Sequence, residues 1–307
     1  MALGVLNNLS AIYAENNLNN TNNSLQKVLQ QLSSGSRINS GADDAAGLSL
    51  VNGLQANSKA LTQSATNATE GVGLLQVADG ALAQVTNLLN RAVTLATEAS
   101  NGTLNASQSA AADQEYKSIL AEISNIGSTT TYNQNQVFTG SAAGITIYTG
   151  DSSVAGASVD VLYFANLSSA SVGDAGGSIT YTPAAGAVPA TINYTPVATA
   201  TNQIDLSTTD LTTTGNAQTA LNDLNTAIAD VAAQDGYIGA QINTLNAISQ
   251  VMTTQVENVT AAQNAIQATD YASATSNMSK FEILSQTGIA ALAQANSVQQ
   301  EVLKLLQ

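Results

Sequence analysis

Apolar and small residues recur in alternating steps of three and four near both ends of this chain, and the pattern is absent from residues 140 to 215. Near the N-terminus they fall at Ala11, Ala14, Leu18, Thr21, Leu25, Val28 and Leu32. Near the C-terminus they fall at Leu284, Gly288, Ala291, Ala295, Val298, Val302 and Leu305. This spacing is the seam of a coiled coil and predicts an amphipathic helix at each end. An isolated helix is marginal in water, because nucleation is costly and propagation gains little. Each seam therefore needs a partner, and the economical arrangement packs the two chain ends on each other.

The same periodicity extends inward. It runs through Leu61, Ala65, Ala68, Val72 and Leu75, meets Asp79, and resumes at Leu82, Val85, Leu89, Ala92, Ala96 and Ala99. A continuous helix over 58 to 99 would be roughly 60 Å long at 1.5 Å per residue. A shorter helix is predicted over 107 to 126, with Gly127 as its C-cap. Another long run carries Leu221, Leu224, Ile228, Val231, Ile238, Ile242, Leu245, Ile248, Met252, Val256 and Val259. Between these lie all three prolines and short alternating pieces, among them Ile145 to Tyr148, Val159 to Val161, Ile179 to Tyr181 and Thr191 to Tyr194. Alternation broken by Gly, Ser and Pro predicts strands and turns. The fold class that follows is mainly α with a β-rich insertion: elongated, with long antiparallel helices from both chain ends forming a coiled-coil core and a small β domain in the middle.

Composition supports helices laid side by side. Only 9% of the 307 residues are charged and 4% aromatic, with no Trp, His or Cys, against about 25% charged in an ordinary soluble domain. Packing must rely on Leu, Val, Ile and Ala, whose small members let helices approach closely. Seven basic residues against 21 acidic ones give a net charge of −14, which disfavours nucleic acid and anionic membrane surfaces as partners. Without cysteine there is no disulfide or thiolate metal site. The N-terminus, MALGVLNNLSAIYAENNLNN, has neither a basic nor an uninterrupted apolar region, so no cleaved secretory signal is predicted. No stretch reaches the ~18 apolar residues of a membrane span.

Chemistry-bearing clusters are sparse. Asp43 and Asp44 precede Ala-Ala-Gly, where carboxylates cap a helix start and turn the chain rather than bind metal. Gly35, Gly41 and Gly47 suit turns between helices, since no phosphate-loop Lys-Ser/Thr follows. Arg37 is one of seven cations and lies in a turn between two seams, which points to a contact with a carboxylate or with helix C-terminal carbonyls. With no His, no Cys and no nucleophile elbow, neither an enzyme nor a cofactor is expected.

Residues 31 to 48, QLSSGSRINSGADDAAGL, and residues 270 to 306, DYASATSNMSKFEILSQTGIAALAQANSVQQEVLKLL, resemble the two terminal motifs of the bacterial flagellins. The resemblance covers roughly residues 1 to 139 and 216 to 307. It implies a secreted, non-enzymatic subunit that assembles head to tail into the helical filament used for swimming, a contact that does not close. A hook-filament junction protein and an adhesin on a helical stalk are the alternative readings. The implied domains are 1–44 with 271–307 as the filament-core coiled coil, 45–139 with 216–270 as a helical shell with a short hairpin, and 140–215 as an outer variable β-rich domain. The implied assembly seam comprises Leu18, Leu25, Val28, Leu32, Leu284, Leu292, Val298, Val302 and Leu305, with Arg37, Asp43 and Asp44 as turn contacts. The implied partners are copies of the chain itself, filament cap and hook-filament junction proteins, and an export chaperone gripping Leu292, Val298, Val302 and Leu305. A host Toll-like flagellin receptor would meet Arg91, Leu95 and Glu115. Export would use the flagellar type III route without a cleaved signal peptide. The chain departs from the family pattern at LNRAVTLAT (89 to 97), where Val93 and Thr94 replace a usual Arg and Glu, and at NAIQATDYA, where Asp270 alone remains of a charged run.

Overall fold

In a computed structural model of the protein, the described residues are 8–140, 144–150, 159–169, 171–172, 178–182, 191–195 and 204–305. Helix α1 spans Leu9–Ser34, started by Asn8, whose side chain accepts a hydrogen bond from Ala11 N (3.1 Å), and ended by Gly35 in the left-handed region. Helix α2 spans Ala45–Ser100, so it begins earlier than the predicted residue 58, because Asp44 Oδ1 accepts from Gly47 N at 2.8 Å and caps it there. Helix α3 spans Ala106–Thr129 and opens with a reciprocal capping box between Asn105 and Gln108. Helices α4 (Thr214–Gln267) and α5 (Tyr271–Leu305) close the chain.

Among the described residues, eight short strands lie between α3 and α4: β1 (Thr131–Tyr132), β2 (Asn135–Gln136), β3 (Ile145–Tyr148), β4 (Val159–Leu162), β5 (Leu167–Ser168), β6 (Ser171–Val172), β7 (Ser178–Thr182) and β8 (Thr191–Thr195). They pair in sequence as four separate antiparallel ladders. The first turn uses Asn133 and Gln134 at positive φ, the two-residue arrangement that matches strand twist. Each of the four alternating pieces noted in the sequence forms a strand, while Pro183, Pro189 and Pro196 lie outside the described residues.

Two compact units result, one from residues 1–58 with 257–307 and one from residues 59–256. In the second unit, α2 buries Leu61, Ser64, Ala68, Gly71, Leu75, Ala78, Leu82, Val85, Leu89, Ala92, Ala96 and Ala99, a heptad seam without a break. The slot assigned to Asp79 belongs to Ala78, and Asp79 points outward. Helix α4 runs antiparallel to α2, since Gly71 lies beside Leu245 and Gly102 beside Thr214. Its buried positions are Ala217, Ala220, Leu224, Ala227, Val231, Gln234, Tyr237, Ile238, Gln241 and Leu245. Leu224, Val231, Ile238 and Leu245 match expectation; the alternate slots hold Ala227, Gln234 and Gln241 rather than Ile228 and Ile242.

Polar residues enter these seams because a two-stranded hairpin leaves backbone groups unpaired at its edges. Gln234 Nε2 donates to Tyr163 O (3.2 Å) and its Oε1 accepts from Ala165 N (3.4 Å), standing in for a missing strand. Ser64 Oγ donates to Gly150 O at 2.7 Å, and Asn67 Nδ2 to Tyr148 O at 3.0 Å. On α3, Ser124 Oγ accepts from Ser169 N at 2.7 Å. Gly127 does not cap α3, which continues to Thr129 with Thr130 as its C-cap. It lets β5 approach instead, since a Cβ there would collide with the Leu167 carbonyl.

One interaction in this unit opposes folding. Asp235 of α4 lies beside Asp79 of α2, and partial desolvation together with the hydrogen bond and charge of Asp79 raises its pKa. A carboxyl held above its unfolded value binds its proton more tightly in the folded chain. The pair therefore costs stability at neutral pH, and the cost fades as pH falls through the folded pKa towards 3.8. Asp235→Asn is expected to raise the melting temperature at neutral pH by about 2 °C, with the gap closing on acidification in calorimetry. A lower melting temperature at neutral pH would contradict this account.

Candidate assembly surface

Helices α1 and α5 pair antiparallel within the terminal unit. Asn8 Nδ2 donates to Ala295 O (3.0 Å), Ser285 Oγ to Asn22 Oδ1 (3.1 Å) and Thr269 Oγ1 to Gln31 O (3.5 Å). Midway, a Cβ on Gly288 would stand 3.2 Å from Leu18, so the two backbones approach closely there. Every predicted seam residue of α1 is covered: Val28 is buried, and Ala11, Ala14, Leu18, Thr21, Leu25 and Leu32 are half-buried.

Helix α5 turns a different face to α1 from the one predicted. Ala274 is buried, and Met278, Phe281, Ser285, Gly288, Leu292 and Ala295 are half-buried in steps of four and three. Gly288 and Ala295 belong to both the predicted and the observed series, whereas Leu284, Ala291 and Val298 are exposed. Close approach at Gly288 goes with the small Ser285 rather than Leu284 on the facing side, and one turn on Leu292 rather than Ala291 faces α1. Val302 and Leu305 are helical, but their side chains lie outside the described residues.

The consequence is an apolar surface with nothing on it. Among the described residues, Leu9, Ile12, Tyr13, Leu29, Leu50, Tyr271, Ile283, Leu284, Ile289 and Val298 are exposed large hydrophobics of the terminal unit; only Val77, Tyr148 and Val251 belong to the other unit. Ile283 is 64% and Ile289 57% exposed. An open groove of about 550 Å³ runs along the surface of the packed pair, lined by Leu18, Thr21 and Ser24 on one wall and Phe281, Leu284 and Ala291 on the other. Most of the exposed residues sit beside the heptad slots, so a search for a single seam passes over them.

At the base of the pair, the turns after α1 and α4 are joined. Arg37 N donates to Gln267 O (2.7 Å), Thr269 N to Gly35 O (3.1 Å), and Ser36 bridges Ala268. Arg37 Nη2 donates to Ile266 O at 2.7 Å, placing a cation on the carbonyls at the end of α4, where the helix dipole favours it. Asp43 forms an ion pair with Lys27 (2.8 Å) and accepts from the backbone N–H of Asn39 and Ser40 through Oδ2 (3.2 and 3.1 Å). Lys27 first, then these backbone donors, lower its pKa to about 2. Asp270 opens α5, its Oδ1 accepting from Ala272 N and Ser273 N. The expected turn contacts Arg37, Asp43 and Asp44 thus all hold backbone, and Lys27 is a partner that sequence spacing gave no reason to single out. No grouping of carboxylates able to hold a metal ion occurs among the described residues.

In the other unit, Arg91 Nη2 and Nε reach Glu115 Oε1 at 2.7 and 2.9 Å in an exposed ion pair. Leu95 does not join them at the surface: it is buried in the core of this unit, beside the α2 seam, so the expectation that it faces a receptor is corrected.

A unit built from both chain ends, with one thin seam satisfied internally and a broad apolar surface left open, defines a structural subunit that self-assembles. Residues 5–143 match the family described as bacterial flagellin N-terminal helical region, and residues 221–306 match the bacterial flagellin C-terminal helical region. The chain is 32% identical to the flagellar filament 33 kDa core protein of Treponema phagedenis over 97% of its own length and 98% of that protein. It is 30% identical to a flagellin of Halalkalibacterium halodurans over the same shares of the two chains. The crystal structure of Bacillus cereus flagellin is 26% identical and covers 64% of this chain and 94% of that one, with a TM-score of 0.43. The chain belongs to the bacterial flagellins and is a subunit of the extracellular flagellar filament. No helix among the described residues is long and apolar enough to cross a membrane.

The bonds of Asp43 form with its charged state, so their stabilisation is present above 3.8 and is lost as pH falls towards about 2. Asp43→Asn is expected to open the turn at neutral pH, seen as faster limited proteolysis between residues 35 and 44. In the native chain, pepsin should gain the same access only across that acid window. Equal protease resistance of the variant would show that the turn does not depend on this carboxylate.

Proposed function

We propose that the terminal unit is the polymerising element, and that the apolar residues outside the α1 and α5 seam meet those of neighbouring subunits head to tail. The observation that carries this reading is the concentration of exposed large hydrophobics on this unit, since contiguous apolar patches mark interaction sites. In this reading residues 1–44 and 271–307 line the filament core, 45–139 and 216–270 form the shell, and 140–215 face outward. Leu18, Leu25, Val28 and Leu32 serve by holding α1 on α5, while Leu284 and Val298 serve by facing the next subunit.

The open face of α5 also needs cover before export. An export chaperone, the partner implied by the family resemblance, would grip Ile283, Leu284, Ile289 and Val298, because Leu292 is already turned towards α1. Amphipathic helices are commonly taken up in this way, through anchors at helical spacing in a groove. Cap and junction proteins would meet the same kind of surface at the filament ends, and export would follow the type III route. A Toll-like flagellin receptor would have Arg91 and Glu115 to contact, without Leu95.

Ile289→Asp tests the proposal. The residue is 57% exposed, so circular dichroism and the melting temperature of the monomer should be unchanged. In the polymer the carboxylate would be buried without a partner at several kcal/mol, raising the concentration needed for seeded elongation by at least about a hundredfold. Normal elongation by a folded variant would place the interface elsewhere.

A further inference from the structure

Two Asn-Gly pairs occur in the sequence, Asn52-Gly53 and Asn101-Gly102. All four residues are exposed, so solvent access does not distinguish them. Backbone conformation does. Asn52 and Gly53 lie inside α2, where the Gly53 N–H is engaged in the helical ladder. Asn101 and Gly102 follow the last residue of α2 in the turn that leads to α3. There Asn101 N donates to Glu98 O at 3.3 Å and Gly102 has φ of 67°. Among the described residues no hydrogen bond engages the Asn101 side-chain amide or the Gly102 N–H.

We propose that Asn101 is a site of spontaneous deamidation, and that the fold protects Asn52 from the same reaction. The Gly102 backbone nitrogen attacks Asn101 Cγ, forming the C–N bond of a five-membered succinimide. The side-chain nitrogen leaves as ammonia and takes up the proton lost by the Gly102 N–H. Water then adds to one of the two ring carbonyls and the ring opens to aspartate or isoaspartate. The sum consumes one water, releases one ammonia and needs no oxidant or catalyst. Gly102 favours the step, because the absence of a Cβ leaves its nitrogen unhindered and lets the turn explore conformations closed to other residues.

The position gives the product a structural effect. A new carboxylate would stand at the C-terminal end of α2, where the helix carbonyls already carry partial negative charge, within a turn of Glu98 and in a chain of net charge −14. Isoaspartate would also lengthen the backbone of the turn that sets Gly102 beside Thr214. Both products loosen the last turn of α2. In an extracellular filament the change accumulates, so the modified fraction records the age of a subunit.

The purified protein, incubated warm at mildly alkaline pH and sampled over weeks, tests this by peptide mapping with isoaspartate detection. In the folded chain Asn101 is expected to convert on the order of tenfold faster than Asn52, whose reaction waits on local opening of the helix. In denaturant the two should convert at similar rates. Similar rates in the folded chain, or an intact Asn101 after Asn52 has reacted, would overturn the proposal. Asn101→Gln should abolish conversion at that peptide and leave the Asn52 peptide unchanged. Asn101→Asp reads the consequence: amide exchange over residues 97 to 100 should quicken severalfold with α3 unaffected, and unchanged exchange would show that the product does not loosen α2.

Discussion

Among the described residues, the terminal helices α1 and α5 have one substantial partner each, and that partner is the other. A seam in which Ala, Thr, Ser and Gly alternate with a few larger residues such as Val28, Met278 and Phe281 buries little apolar area per turn, at about 25 cal/mol per Å², and much of the surface around it stays open. Nothing else in the composition compensates, because cations and aromatics are scarce and cysteine is absent. Such a pair gains most by adding further helices around it, which is what a polymer of identical subunits supplies. The clasp at its base, made by Arg37, Ser36 and Thr269 against backbone, sets the register of the two helices without drawing on their apolar surface.

The second unit solves the same shortage of bulky residues differently. Long helices meet along alanine-rich seams with α3 packed beside them, and the hairpins are fastened by polar side chains that continue their ladders. Gln234 and Ser64 are therefore structural elements of the hairpins as much as of the helices. The terminal unit does not require such insertions, since it carries no strand among the described residues. The two compact units thus differ in how far they satisfy themselves: one encloses a continuous core of buried residues, and the other leaves its hydrophobics at the surface.

Heptad spacing made the helices legible from sequence, and strict alternation did the same for β3, β4, β7 and β8. The α1 seam was fully readable because every three-four step from Ala11 to Leu32 holds an apolar or small residue. On α4 and α5 half of each seam was misplaced, since apolar residues lie on both sides of the shared slots and hydrophobicity alone does not tell which side is narrow enough to face a neighbour. Gln234 gave no sign of burial, because its reason for being there is a hairpin distant in sequence. The early start of α2 was hidden by Asp44, whose cap was readable but whose helix lacks strong periodicity before Leu61. Leu95 illustrates the opposite error: resemblance assigned it a surface role that its burial in the core forbids.

The central claim is that the terminal pair is marginal in the free subunit and completed by its neighbours. Hydrogen exchange measured residue by residue, in the monomer and in the filament, tests it most directly. The account predicts that amides of α1 and α5 exchange far faster than those of α2 between residues 59 and 100 in the monomer, and become comparably protected in the filament. Terminal amides that are as protected as those of α2 in the free monomer would contradict it.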